Sequence, residues 1–560
     1  VFFGIYLVLY HRSKASVTKS GKSFIQIIFT FKELATTTEG HIITARSKPG
    51  TIPAEQALFK ISPMLKKHIT LLLFAIAGFG LNAQCPPGDV TLSSQAEVDA
   101  FVADYPDCTE IAENMRIGSL SSTNPTNITD LSGLSSLTSI GGDFSIRVNP
   151  LLTSLTGLEQ LTSIGGNFSI RINHALTSLT ALDQLTFIGG NLEIVNNNGL
   201  TSLIGLGNLT SIGEDLSVTS NNGLTSLTGL ENLTSIGESF EISENGSLTS
   251  LIGLDLLTSI TGDLSIENNF ALISLTGLEQ FVSIGEDLSI GFNANITSLT
   301  GLDQLISIGG DLFIGFNPEI TNLTGLEQLS YIGGDLWIYK HANLISLSGL
   351  DQLASIGKNL DIEENSALTS LAGLEQLTSI GGDLRVFYNA SLTSLIELEQ
   401  LTSIDGDLRI RFNLVLTSLT GLENLDATTI DNLFISSNYQ LSTCAIESIC
   451  GYLGVETNTA DISGNAPGCA TREEVETACM VSTTDISQTN IELFPNPTNG
   501  MLQLRNSTAE EVVVYTAQGQ RIAHYVSPGQ ELDLSALPAG VYHLHLIAAD
   551  GAYAARVVKQ

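Results

Sequence analysis

Positive charge is scarce in this chain: 23 Lys and Arg stand against 58 Asp and Glu in 560 residues. Eight of the basic residues precede residue 64, and Lys66 and Lys67 follow. From Cys85 onward that leaves 13 basic residues against 55 acidic ones, a net charge of −42. Such a surface repels phosphate backbones, which argues against a nucleic-acid partner. It suits cations, basic partners or solubility in a salty medium. Catalytic signatures are missing too. There is no H-E-x-x-H and no G-x-S-x-G, and Gly21-Lys22-Ser23 lacks the upstream glycine of a phosphate loop. His174 and His341 stand singly, and His543 with His545 is too sparse a pair for a metal. The chain is therefore expected to be no enzyme and to carry no cofactor. Cysteine is absent between Cys108 and Cys444. The six cysteines sit at two ends: Cys85 and Cys108, then Cys444, Cys450, Cys469 and Cys479. No C-x-x-C pair supports zinc, and an even count in an exported chain points to disulfides that staple end caps. Cys85 with Cys108 is the natural first pair; the other four allow three pairings.

Long apolar runs are also missing. The longest candidate, Ile69 to Leu81, is about 13 residues, short of a membrane span. It follows Met64, Lys66, Lys67 and His68 and precedes the small Ala83. This is the n-region, h-region and cleavage-site pattern of a signal peptide over residues 64–83. Residues 1–63 then read as upstream sequence translated from a mis-set start; a basic membrane-proximal leader is the alternative. No transmembrane helix is expected in the mature protein.

What the chain does have is a repeat. From Ile140, every twenty-fourth residue through Ile404 is isoleucine, and Leu158 recurs in the same way through Leu422. Asparagine recurs from Asn149 to Asn413, except at His341. The unit is L-x-x-L-x-x-L-x-x-L-x-x-I-G-G-x-L-x-I-x-x-N-x-x. Its L-x-I piece alternates with period two, so it is a short half-buried strand. Leucines spaced by three fit turns or single 3₁₀ turns that point inward. The Gly-Gly pair is read as backbone freedom at a sharp corner. The asparagine, just past the strand, can donate and accept, and stacked copies form a ladder. One coil cannot cover its own flanks, so coils must stack, with strands paired in parallel. Fourteen coils are expected, counting "IAENMRIG" (111–118) before the regular array and "IDNLFISSN" (430–438) after it.

Two sets of positions are free of the repeat's packing pattern. Asp143, Asp215, Asp263, Asp287, Asp311, Asp335, Asp383 and Asp407 share one column; turn capping is the favoured reading, and Ca²⁺ the alternative. Outward strand positions carry Phe313, Trp337, Tyr339, Arg385, Phe387, Tyr388, Arg409, Arg411 and Phe412, with Phe292 and Phe316 in one shared column. Exposed aromatics with arginine are enriched in binding surfaces.

The repeat "LTSIGGDLSI…N…LTSLTGLEQL" resembles the receptor L-domain branch of the leucine-rich repeats and the long L-domain-like arrays of secreted bacterial proteins. That resemblance implies a mainly β, right-handed parallel solenoid over residues 131–441, with caps at 84–130 and 442–480. After a linker at 481–490, the style changes to short β-rich runs with turn signals, which suggests a small antiparallel β-sandwich over 491–560. This tail resembles the type A sorting domain of the type IX secretion system of Bacteroidota. The likeness rests on Pro495, Asn496, Pro497 and Gly500, on Gly519, on Leu537, Pro538, Gly540 and Tyr542, and on the basic ending at Lys559. It implies export, engagement of the secretion machinery and its sortase, and release or attachment at the outer-membrane surface. The expected function is binding or adhesion of an unknown protein or glycan on the exposed sheet face; a structural spacer without a ligand is the alternative.

Overall fold

The computed structural model describes residues 85–482, 492–505, 509–516, 521–526, 531–548 and 551–560. The expected leader, signal peptide, most of the linker and Gly519 lie outside the described residues.

Each repeat forms one coil of a parallel β-solenoid. Its four-residue strand, such as Leu384–Phe387, buries the first and third side chains and turns the second and fourth outward. Strands of successive coils pair in parallel with an offset of 24 residues: Leu360 lies beside Leu384, and Leu384 beside Leu408. Sixteen strands join in this broad sheet, two more than the fourteen coils expected. The extra strands, Val90–Leu92 and Thr459–Ser463, come from the flanks, so the caps continue the sheet as well as closing it. A second, narrow side carries two-residue strands such as Ser379–Ile380. Seven apolar side chains per coil fill the space between. In the coil from Ile140 they are Ile140, Phe144, Ile146, Leu152, Leu155, Leu158 and Leu161, all essentially without solvent exposure.

The narrow side divides into a six-stranded and a seven-stranded sheet, between Ile236 and Ile260. The reason bears on the Gly-Gly pair, whose expected role needs correcting. Neither glycine of the pair adopts a positive φ. Instead, a Cβ on the first glycine would meet the backbone of the preceding coil: on Gly237 it would lie 1.9 Å from the Gly213 carbonyl oxygen. Close approach, not conformational freedom, selects glycine here. Thr261 stands in this column at the break, and its hydroxyl donates to the Gly237 carbonyl in place of the usual ladder. Asp405 also occupies the column but keeps its amide bond to Ile380 O at 3.0 Å; it lacks the branched Cβ. Conformational freedom is needed elsewhere, in the column of Gly157, Gly205 and Gly229, where φ is 113–118°. Ala181 and Glu397 replace that glycine in two coils, and both coils close with 3₁₀ turns, Thr180–Leu182 and Ile396–Leu398.

The asparagine ladder is present and is longer than its repeat. Each backbone N–H except that of Asn317 donates to Oδ1 of the asparagine one coil on, at 2.9–3.1 Å. Each Nδ2 donates back to a strand carbonyl at 2.7–3.1 Å. Asn465 ends it inside the C-terminal cap, and Thr126 starts it by donating to Asn149 Oδ1 at 2.6 Å. The residue before each asparagine is held in the left-handed region. Thirteen non-glycine residues, from Val148 to Ser437, have φ of 55–62°. That conformation costs roughly 1–2 kcal/mol per residue, more for β-branched Val148 and Ile172. Each such residue donates its own N–H to the next coil, as Val148 does to Arg171 O at 2.9 Å, so the ladders on either side impose it.

Three disulfides fasten the flanks. Cys85 joins Cys108, as expected; Cys444 joins Cys469, and Cys450 joins Cys479. The first brackets helix α1 (Gln95–Asp104), and the third joins α2 (Glu447–Leu453) to α3 (Arg472–Ser482) within the C-terminal cap.

The C-terminal residues form two antiparallel sheets, one of three and one of four strands. Leu502, Leu504, Val512, Val514, Leu532, Leu534, Leu544, Leu546 and Val557 close over a separate core.

Candidate functional site

The outward side chains of the broad sheet divide into three groups. In the first, register brings Phe313 beside Trp337, and Gly315 beside Tyr339. Phe313 and Trp337 meet edge to face, with centroids 5.5 Å apart. Phe292 and Phe316, both in the left-handed column, stack at 4.2 Å, and Tyr339 meets Phe316 at 5.1 Å. Gly291 and Gly315 make this possible. A Cβ on Gly315 would sit 2.3 Å from the Phe313 ring, which lies across the bare backbone. Five rings thus make one continuous patch over three coils, with Trp337 43% and Phe292 40% exposed. Lys340 belongs to the same patch and was not among the expected site residues. Its ammonium lies 5.5 Å from the Phe316 ring centre and 5.2 Å from that of Tyr339, and pairs with Glu364 at 3.2 Å. Only its cross-coil position reveals this, since nothing in the single repeat marks it.

The second group is ionic. Arg385 binds Asp383 at 2.7 Å and Asp361 at 3.2 Å. Arg409 bridges Asp407 and Asp383, and Arg411 lies 3.7 Å from Asp461. Arg409 and Arg411 both lie over the Phe434 ring. Arg411 ties the last coils to the cap, while Arg385 and Arg409 join neighbouring coils to one another. Burial pushes the Asp361 carboxyl up to about 6 even though Arg385 opposes it, and burial also raises Glu363, reinforced by the charge of Glu364. The third group is the stacked pair Tyr388 and Phe412, 4.5 Å apart, next to half-buried Phe387. Tyr388 is 48% exposed, but its backbone is not free, because it too sits at positive φ.

The aspartate column forms a second ladder. Each residue from Asp143 to Asp407 donates its backbone N–H to the side chain of the residue 24 earlier (29 earlier for Asp143), at 2.6–3.0 Å. Asp, Asn and Ser interchange because each offers an acceptor oxygen. The capping therefore reaches across coils and does not stay within one turn. Among the described residues no group of three or more His, Cys, Asp or Glu is arranged to hold a metal.

His341 interrupts the asparagine ladder. Its Nε2 meets Ile314 O at 3.1 Å, where an asparagine Nδ2 would donate, and its Nδ1 meets Asn317 O at 2.9 Å. A neutral imidazole has one N–H, so one carbonyl faces a lone pair. The Asn317 amide loses the Oδ1 acceptor that the other rungs supply. Burial holds the His341 ring below its usual pKa, outweighing its two backbone contacts. The unfolded chain then takes up a proton first as pH falls, so this contribution to stability is intact above about 6.5 and lost below it. His341→Asn is expected to raise the melting temperature at pH 7.5, and the gap from the parent protein should widen at pH 5. A constant gap in thermal melts at the two pH values would contradict the titration.

In the C-terminal domain the sorting residues converge. Asn496 donates from Nδ2 to Arg556 O at 2.7 Å and accepts from Val558 N at 2.9 Å, which pins the Pro495–Pro497 turn to the last strand. Lys559 donates to Leu537 O, and Tyr542 to Pro538 O at 2.7 Å. Gly500 has φ 134° and packs on Ser535, and its carbonyl accepts from Leu534 N. Gly540 opens the nine-residue strand that pairs with the final one.

The two folds define a chain built as a parallel β-solenoid that carries a separate antiparallel C-terminal domain. Residues 492–560 match the family profile of the secretion system C-terminal sorting domain. The chain thus ends in a type IX sorting domain, which implies export through that system and contact with its machinery. It is a secreted protein or one attached at the outer-membrane surface. No helix among the described residues is long and apolar enough to cross a membrane. No curated protein matches the chain.

Proposed function

We propose that the solenoid is a non-enzymatic binding module of leucine-rich-repeat, receptor-L-domain type, displayed outside the cell to hold a protein or glycan ligand on the outer face of its broad sheet. The strict 24-residue coil and the asparagine ladder support the family reading. Export begins at the signal-like segment 64–83 and ends at the sorting domain, whose tail the sortase of the system removes. One observation carries the binding reading: Phe292, Phe313, Phe316, Trp337 and Tyr339 form one five-ring patch on the outer sheet face, with Phe292 and Trp337 exposed and the other three half-buried. Soluble proteins rarely leave contiguous apolar surface uncovered without a partner. Elsewhere the same columns carry Ser145, Ser169 and Ser217, so packing does not require rings there. No cofactor enters this reading. Changing Phe313, Trp337, Phe387 and Tyr388 together to serine is expected to abolish binding on protein and glycan arrays, with circular dichroism unchanged. Undiminished binding by the quadruple variant would move the site elsewhere, and silence of the parent protein on both arrays would favour a spacer.

A further inference from the structure

We infer that the aromatic patch is a cation-accepting site, occupied in the free protein by Lys340 and taken in the complex by an arginine or lysine of a basic partner protein. The inference rests on the binding role proposed above and names the chemistry of the ligand.

Four observations converge on it. The patch already binds an ammonium: Lys340 Nζ lies 5.5 Å from the Phe316 ring centre, within the range of a cation–π contact, and donates to the Tyr339 hydroxyl at 3.3 Å. The same sheet repeats the arrangement at its C-terminal end, where Arg409 and Arg411 lie 4.5 and 5.0 Å from the Phe434 centre. Register sets a carboxylate beside the rings: Glu363 is the strand neighbour of Tyr339, whereas Asp361, the neighbour of Trp337, is already held by Arg385. Ring plus carboxylate is the combination that holds a guanidinium or ammonium. Finally, charge beside the patch is unbalanced. Glu363 and Glu364 stand beside the single ammonium of Lys340, and from Cys85 onward the chain carries a net of −42. A basic partner is steered toward such a surface, whereas a neutral glycan gains nothing from it.

Lys340 is placed to yield. It is exposed, on the left-handed corner, and its salt bridge to Glu364 is a surface pair of little worth. Displacing it leaves the Phe316 ring, the Tyr339 hydroxyl and Glu364 for the incoming cation.

The full exported chain would be titrated with a fluorescent octa-arginine peptide at about 150 mM NaCl, where exposed charges more than a Debye length apart are largely screened, and, separately, with cellohexaose and chitohexaose. Trp337→Ser leaves net charge unchanged and is expected to weaken the peptide at least tenfold. Lys340→Gln should tighten it three- to tenfold, far more than one charge in about forty would by itself. Equal peptide affinity in the parent and Trp337→Ser proteins, or no gain with Lys340→Gln, would show diffuse electrostatic attraction and overturn the inference. Saccharide binding that depends on Trp337, without ring-dependent peptide binding, would also overturn it while leaving the sheet-face reading intact. Both variants would be checked by thermal melting, and Lys340→Gln, which touches no core residue, decides the matter if Trp337→Ser melts early.

Discussion

Asn245→Ala will destabilise the solenoid by about 3–5 kcal/mol, although it removes no apolar contact area of consequence. Asn245 is fully buried. Its Oδ1 accepts the Asn221 N–H at 2.9 Å, and its Nδ2 donates to Val218 O at 2.8 Å. Alanine leaves a donor and an acceptor stranded where water does not reach, at about 1–3 kcal/mol each, with the loss of the side chain's own bonds added. Asn245→Asp separates the two effects: it keeps an acceptor for Asn221 but turns a carboxylate oxygen toward the Val218 carbonyl. Chemical denaturation should place both variants below the parent. Hydrogen exchange at the Asn221 amide should rise sharply in the alanine variant and less in the aspartate one. Unchanged exchange at Asn221 would mean that the ladder contributes little. His341 shows how the array tolerates one missing rung: an imidazole restores the donor but not the acceptor.

Gly229→Ala is expected to cost about 2–4 kcal/mol, and Gly207→Ala to be neutral or slightly stabilising, though the two glycines lie 22 residues apart in consecutive coils. Gly229 has φ 115°, and a Cβ there would lie 2.2 Å from the Leu203 carbonyl carbon and oxygen. Neither coil can retreat, because each is held between neighbours by parallel ladders. One escape exists, the 3₁₀ closure used around Ala181 and Glu397. Adopting it would forfeit the bond from Leu203 N to Thr228 O at 2.8 Å and that from Gly229 N to Glu231 Oε1 at 2.9 Å. Two lost bonds plus local repacking set the lower end of the range. A Cβ on Gly207 would meet no atom within 4 Å, and the φ there is not positive. Alanine at that position mainly restricts the unfolded chain, a gain of roughly 0.4–1 kcal/mol. Similar melting temperatures for the two variants would refute the requirement for glycine at position 229.

The period-24 columns make the coil legible on their own: a strand at L-x-I, inward leucines, and an asparagine that must be paired. The same columns mislead on glycine. A Gly-Gly pair before a strand looks like a corner that needs a flexible backbone, yet Gly237 is glycine because Gly213 O lies against it. The aspartates show the right kind of chemistry at the wrong range, since their partners lie one coil away along the stack and not within the same turn. Arg385 stands outside the packing pattern, and its partners are not legible in the repeat: Asp361 and Asp383 bind it across and within the coil.

The division has a physical cause. Residues that recur every 24 positions answer to one packing problem posed identically in each coil, so periodicity alone determined the parallel solenoid, its buried columns and the asparagine ladder, and the tail's motif order its sorting domain. Side chains that do not recur meet partners about one coil away, chosen by strand register and by which corners splay. Only the tertiary structure could therefore pair Cys444 with Cys469 and Cys450 with Cys479, lay Phe313 across Gly315, and set Lys340 over the Phe316 ring and against the Tyr339 hydroxyl.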